Sequence, residues 1–361
     1  MKKMFVFIPV ILLVVSFQNS FTLKENRVED KKAEGSASSA GVAFQNELFT
    51  DPFAKVPGVK EVRKSNSVNL VLKSDNGGQT WQDISKALPE TDQPVDFFAG
   101  ESGLYLNVKD AVYRSKSNLK TPFWEKENVP ALQSAHSRPS TSIAFNRSGV
   151  MAFNDKGQIY RKTSLAQTWL PILTNFRKQW MRTVFESCDG TVFLGYDHGL
   201  YKSDDKGKNW RQVQKGLVMN IVESEGVLLA TGGNGIMRST DKGEHWQWVI
   251  SEGGVGIAIE RIDGGFAAIT YNTGTKTRRV RISLDHGKTW QAIDEGLPAS
   301  PLISSIKQTG KYLICGHPDG IFRSSDRGKT WNRVHPGIGK KIFRMSVSGN
   351  SLYAVAASAG C

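Results

Sequence analysis

Five octets of one pattern recur along a chain of 361 residues: "SDNGGQTW" (74–81), "SDDKGKNW" (203–210), "STDKGEHW" (239–246), "SLDHGKTW" (283–290) and "SSDRGKTW" (324–331). Two weaker copies keep the tryptophan but lose other letters, "YRSKSNLKTPFW" ending at Trp124 and "KTSLAQTW" ending at Trp169. Seven tryptophans thus mark seven units, at Trp81, Trp124, Trp169, Trp210, Trp246, Trp290 and Trp331, with successive spacings between 36 and 45 residues. That period belongs to propeller blades rather than to helical solenoid units, and it constrains the fold more than any other feature.

Each unit parses into short strands. In the fourth, "RTVFES", "TVFLGY", "LYKS" and "WRQVQ" are apolar, β-branched and aromatic runs separated by "CDG", "DHG" and the octet. The fifth repeats this with "NIVES", "GVLLAT", "GIMRS" and "HWQWVI". Four antiparallel strands per unit make a blade, and no long amphipathic helix interrupts them. The chain ends complement each other. After Trp331, "KIFRMSVSGNSLYAVAAS" supplies first and second strands with no octet to follow, whereas the first octet is preceded only by "SVNLVLKS", a third strand. Residues 342–358 and 67–86 are therefore expected to share one blade, which closes a seven-bladed ring and leaves no open sheet edge.

The octet itself has a structural explanation. Ser and Asp side chains bond to turn backbone, Gly at the fifth position permits positive φ, and Trp covers a neighbouring blade. Asn76, Asp205, Asp241, Asp285 and Asp326, with the tryptophans that follow them, are thus expected to build turns. A calcium loop is excluded because the alternating ligand series and terminal Glu are missing.

The pattern S-x-D-x-G-x-T-W resembles the Asp-box, or bacterial neuraminidase repeat, found in sialidases, xyloglucanases, the sortilin luminal domain and photosystem II assembly-factor propellers. The resemblance covers residues 67–361 and implies the all-β propeller architecture. It implies no single activity, because hydrolases, receptors and assembly factors share this scaffold.

Residues 1–16, "MKKMFVFIPVILLVVS", place two lysines before an apolar run too short to span a membrane, as in a signal peptide; the other reading is an uncleaved anchor. Residues 17–66 read as a linker, with the charged and small polar stretch 24–41 expected to be disordered. These segments predict an exported protein, periplasmic or extracellular, touching a membrane only through that N-terminal segment. Cys188, Cys315 and Cys361 form neither a disulfide framework nor a zinc motif. Cys315 lies in the second strand of the last full blade and Cys361 follows the corresponding strand of the shared blade, so either a staple or free thiols would fit there. No cofactor or metal is expected.

The net charge is +13, yet no nucleic-acid signature accompanies it. Three basic clusters stand out: Arg177, Lys178 and Arg182 with Trp180; Lys276, Arg278, Arg279 and Arg281 beside Tyr271; and Lys340, Lys341 and Arg344. All lie in or near connections expected on the face opposite the octet turns. Arg or Lys beside an aromatic ring suits an acidic protein or an anionic glycan, so a noncatalytic binding or assembly scaffold is the favoured reading. The alternative is a sialidase-like glycosidase. Such enzymes, by resemblance, use an arginine triad, a Tyr/Glu pair and an Asp acid. Asp155, Asp197 and Asp319 stand on suitable loops, and His198 and His317 lie in turns, but nothing in the sequence pairs two carboxylates across a bond, and no catalytic residue is assigned.

Overall fold

The computed structural model describes residues 71–358, apart from 87, 89–93, 101–102, 109–110, 117–118, 120–121, 131–140, 155–156, 164–167, 175, 177–179 and 340. The signal-peptide and linker segments therefore lie outside the described residues, as do Arg177, Lys178, Lys340, Asp155 and Cys361.

Seven four-stranded antiparallel sheets form, and no α-helix occurs among the described residues. Blades 2 to 7 each use four consecutive strands, with inner strands Pro94–Gly100, Thr141–Asn146, Met181–Glu186, Val218–Ser224, Gly256–Ile262 and Ser305–Thr309. Blade 1 is shared. Lys341–Ser348 and Ser351–Ser358 supply its first two strands, and Val71–Ser74 and Gln82–Asp83 its last two. The joint is a four-residue register, Val71↔Val355 to Ser74↔Leu352. Inner strands touch in sequence around the ring, and the inner strand of blade 1 meets that of blade 2, so the circle is closed.

The second strands are buried over most of their length, as in VFLGY (192–196) and VLLATG (227–232), because both faces pack on neighbouring blades. The core accordingly divides into clusters at the seams between blades. One such cluster joins Ile269, Val280 and Ile282 of blade 6 to Ile306, Leu313 and Phe322 of blade 7. Close approach of neighbouring backbones sets some residues by size. A Cβ at Gly316, near the end of a second strand, would stand 2.2 Å from the carbonyl oxygen of Phe343 on the next inner strand.

The octets behave as turns between third and fourth strands. In "SSDRGKTW", Ser324 Oγ donates to Asp326 Oδ1 (2.7 Å), Gly328 N–H donates to Ser324 Oγ (2.7 Å), and Thr330 N–H and Oγ1–H donate to the Asp326 carboxylate (2.9 and 2.6 Å). The same bonds recur around Asp205, Asp241 and Asp285, and Asn76 accepts the Thr80 N–H in the first copy. Gly328 takes φ 85°, and the non-glycine residue before it, Arg327, takes φ 60°; Lys206, Lys242 and His286 repeat that left-handed conformation in their octets.

Tryptophan burial departs from expectation. Trp124, Trp169 and Trp331 are deeply buried, at 6%, 8% and 9% exposure, whereas Trp81, Trp210, Trp246 and Trp290 are half-buried. The hydrogen bond of the indole explains part of this. Trp210, Trp246 and Trp290 donate Nε1–H to the Gly of their own octet, which holds the ring at the rim. Trp331 and Trp124 reach instead to backbone carbonyls of the preceding blade, Ile293 (2.6 Å) and Ile84 (3.1 Å).

Cys315 is a free, fully buried thiol whose pKa burial pushes well up, and Cys188 is free and exposed.

Candidate functional site

In an antiparallel blade, the turn between second and third strands and the link to the next blade lie at the end opposite the octet. Arg182, Lys276, Arg278 and Lys341 stand at or near that end, whereas Arg344 lies mid-strand and Arg281 only two residues before the octet. At blade 4, Trp180 is 59% exposed just before the inner strand, with the Arg182 guanidinium 5.5 Å from its ring centre. Arg182 is held by a two-pronged ion pair with Asp197 (2.6 and 3.2 Å). The acid named as a candidate catalyst is thus engaged with a basic neighbour. Asp319, in blade 7, donates its N–H to His317 Nδ1 (3.0 Å), and the His317 Nε2–H donates to the Pro298 carbonyl (2.9 Å). Asp197 is thus held in an ion pair and Asp319 in a turn, and the two acids belong to different blades.

At blade 6, the third strand Thr277–Ser283 sends alternate side chains to opposite sides. Arg279 and Arg281 leave one face and are neutralised, Arg279 by Asp294 (2.5 and 3.0 Å) and Arg281 by Glu252. Arg278, paired in register with Tyr271, leaves the other face with Val280 and Ile282, toward the seam with blade 7. Its Nη1–H donates to the Ile303 carbonyl (2.7 Å), while its Nε–H is buried without an acceptor. No carboxylate lies in salt-bridge range of Arg278 among the described residues.

The Ile303 segment continues into Ser304 and Ser305, whose hydroxyls donate to the Phe343 carbonyl (2.5 and 2.8 Å), and the next residue is Arg344. Two clusters that are far apart in the sequence are thus neighbours in the ring. Burial first, and the Arg344 charge second, hold the Arg278 guanidinium below its ordinary pKa. Arg344 has one acid partner, Asp96 of blade 2 (3.0 Å). Lys341 stands at the start of the same inner strand. The geometry therefore brings Arg278 and Arg344 together, sets Trp180 and Arg182 apart at blade 4, and takes Arg279 out of play through Asp294.

Among the described residues, no group of three His, Cys, Asp or Glu side chains is placed to hold a metal ion. One row was missed by reading clusters rather than positions. The residue preceding the octet, or its degenerate copy, is basic in six blades: Lys73, Arg114, Arg161, Lys202, Arg238 and Arg323. Aligning the repeats column by column would have exposed it.

A family model described as BNR-Asp box repeat matches residues 321–334. The chain carries Asp-box repeats on a seven-bladed propeller. No protein of curated function matches this Asp-box propeller in sequence. Solved structures do match its fold. YCF48 from Cyanidioschyzon merolae is 13% identical, with a TM-score of 0.53 over 73% of this chain and 95% of that one. A structure titled YCF48 bound to D1 peptide gives 16%, 0.50, 74% and 94%. An ancestral GH74 enzyme gives 14% and 0.52 over 68% of this chain and 39% of its own. Identities this low establish the shared fold of the Asp-box propeller and leave its activity open.

Proposed function

We propose that this propeller is an exported, noncatalytic scaffold that binds an acidic protein segment on the face opposite the octets. The observation that carries the reading is Arg278: a half-buried guanidinium with no carboxylate partner among the described residues, its Nε–H buried without an acceptor, beside a second arginine on the neighbouring inner strand. Sinking a charge against a like charge costs free energy, and a partner carboxylate arriving there would recover it. Exposed Trp180 adds an aromatic anchor of the kind that concentrates binding energy. Binding of a peptide by a propeller of the same fold, YCF48, supports protein as the ligand class. The lysine-led apolar N-terminus supports export. The glycosidase alternative would need two carboxylates facing each other. Asp197 and Asp319 stand on separate blades beside basic groups, which favours the binding reading.

The test is capture of partners from native extracytoplasmic extract by the wild-type protein and by an Arg278→Gln/Arg344→Gln variant, over a salt series. Wild-type capture should weaken with salt, and the variant should lose most of it while melting within a few degrees of wild type. Equal capture with equal salt sensitivity would overturn the reading, and turnover of a sialoside by the wild-type protein would replace it with the glycosidase.

A further inference from the structure

Two of the basic residues that precede the octets, Lys202 and Arg238, stitch one blade to the next. In blade 4, Lys202 is almost fully buried and donates to Glu244 in the octet of blade 5 (2.6 Å). In blade 5, Arg238 donates Nε–H to the carbonyl of His286 in the octet of blade 6 (2.7 Å). Lys73 instead pairs with Asp75 of its own octet, and Arg323 lies over the Tyr312 ring with its Nε–H buried without an acceptor.

The seam between blades 3 and 4 has no such stitch among the described residues. The matching residue of blade 3 is Arg161, paired in register with Met151 as Lys202 is with Phe193. The octet it faces is "SDDKGKNW", which has Lys208 where blade 5 offers the Glu244 carboxylate. Arg161 has no ion pair among the described residues, and its Nε–H is buried without an acceptor. A cleft of ≈ 300 Å³ opens at this point on the octet face. Its floor is apolar, made by Met151, Ile159, Ile172, Val184 and Leu194, with the half-buried Trp210 at one side. Arg161, Arg147 and Lys206 line its polar part against a single carboxylate, Glu186. That carboxylate already accepts the Ser148 N–H (2.9 Å), and Arg147 is steadied by the Cys188 carbonyl (2.7 Å).

We propose that this cleft is a binding site for a small amphiphilic carboxylate, a free fatty acid of short chain, with its carboxylate on Arg161 and its chain on the Met151–Leu194 floor. Three cations against one anion demand a negative head, and a guanidinium with a free buried N–H is the group best matched to a carboxylate. The apolar floor excludes a bare inorganic anion, which would gain nothing from it, and requires a hydrocarbon tail. The size is at the small end of ligand sites, which fits a single chain and not a folded partner. The site is on the face opposite Arg278 and is independent of the protein-binding reading.

The experiment is calorimetric titration of the full chain with octanoate, octan-1-ol and octyltrimethylammonium, three ligands that share a tail and differ in head charge. Octanoate should bind about tenfold or more tighter than the other two, and Arg161→Gln should remove about that factor. Arg278→Gln, on the far face, should leave octanoate binding unchanged. Location is read separately, without relying on a variant at Arg161: 8-bromooctanoate should quench tryptophan fluorescence in the wild type, and Trp210→Phe should remove most of that quenching. Absence of octanoate binding at millimolar concentration, equal binding of the alcohol, equal binding by Arg161→Gln, or quenching that persists in Trp210→Phe would each overturn the proposal.

Discussion

Blades 4 to 6 and blades 2 and 3 solve the same problem of joining one blade to the next with different chemistry. In blades 4 to 6 the octet is intact. Ser, Asp and Gly close the turn by themselves, and the Trp indole bonds to its own octet Gly at the rim. In blades 2 and 3 the octet has lost those letters, and the indole is committed to the seam. Trp124 donates to the carbonyl of Ile84 in blade 1, and Trp169 donates to the carboxylate of Glu127 in blade 2 (2.9 Å). Lys162 joins that second contact, bonded to Glu127 (2.7 Å) and 5.6 Å from the Trp169 ring centre. In blades 4 to 6 the self-held turn goes with a half-buried tryptophan, and in blades 2 and 3 the degenerate turn goes with a buried one. Blade 7 combines both devices, with a complete octet around Asp326 and Trp331 on the Ile293 carbonyl.

The largest effect should come from breaking the one seam the chain closes on itself. Removing residues 341–358 takes away the inner two strands of blade 1, leaving Val71–Ser74 without its partner and two blades with an uncovered face. Cooperative thermal unfolding should disappear altogether, because an open ring exposes unpaired strand edges and several seam residues at once. A truncated protein with a wild-type melting curve would reject the shared blade as a structural necessity.

Single tryptophans should then separate the two kinds of seam. Trp331→Ala should cost about 3–5 kcal/mol, the usual loss for emptying a buried aromatic site, and Trp290→Ala about 2 kcal/mol, since its ring is partly in water already. Chemical denaturation of both variants measures the difference. Equal losses would mean that burial at the seam is not what distinguishes them.

The contact special to blade 3 is next. Glu127 and Lys162 are 12% and 9% exposed, so Glu127→Gln leaves a nearly buried ammonium without its counter-charge and should cost about 3 kcal/mol. Arg182 and Asp197 on the binding face are 40% and 28% exposed, and Asp197→Asn should cost under about 1 kcal/mol. A reversed order would show that the degenerate blades are not held by this contact.

These differences mark how far the sequence could be read. Blade number, the four-strand parse and the shared blade all follow from local signals, turn residues and apolar alternation repeated at a fixed period, and the structure has them. The Asp-box turns were legible for the same reason, since Ser324, Asp326 and Gly328 bond within a few residues of one another. The approach of Arg278 to Arg344 was not, because it depends on the ring bringing blades 6, 7 and 1 side by side, and nothing local to either residue encodes it. Neutralisation of Arg279 by Asp294 was hidden likewise: the acid arrives from the segment just past the fourth strand of the same blade, and only the alternation of strand Thr277–Ser283 decides which of two adjacent arginines meets it. Trp169 was recognisable as a repeat marker, but its partner Glu127 stands in another blade where no octet letter announces it.

The smallest effect concerns acid, and it separates turns from seams by pH window. Burial holds the imidazoles of His317 and His335 below their ordinary value of 6.5, for His317 against the opposing pull of the Pro298 carbonyl and nearby Asp319. A depressed pKa means that the folded protein resists protonation more than the unfolded chain, so this stability is complete above about pH 6.5 and is lost as pH falls toward the folded values. The octet aspartates act lower. The Thr330 hydroxyl and N–H with the Ser324 hydroxyl hold Asp326 at about 2, and the Asn209 N–H and side chain with Ser203 do the same for Asp205. Their contribution is complete above the ordinary carboxylate value near 4 and is lost as pH falls through about 2. The melting temperature should therefore fall in two stages, a shallow one below pH 6.5 that shrinks in a His317→Gln variant and a second below pH 4 that shrinks in Asp326→Asn. A His317→Gln protein that keeps the whole upper stage would show that the seam histidine is not what the protein loses first in acid.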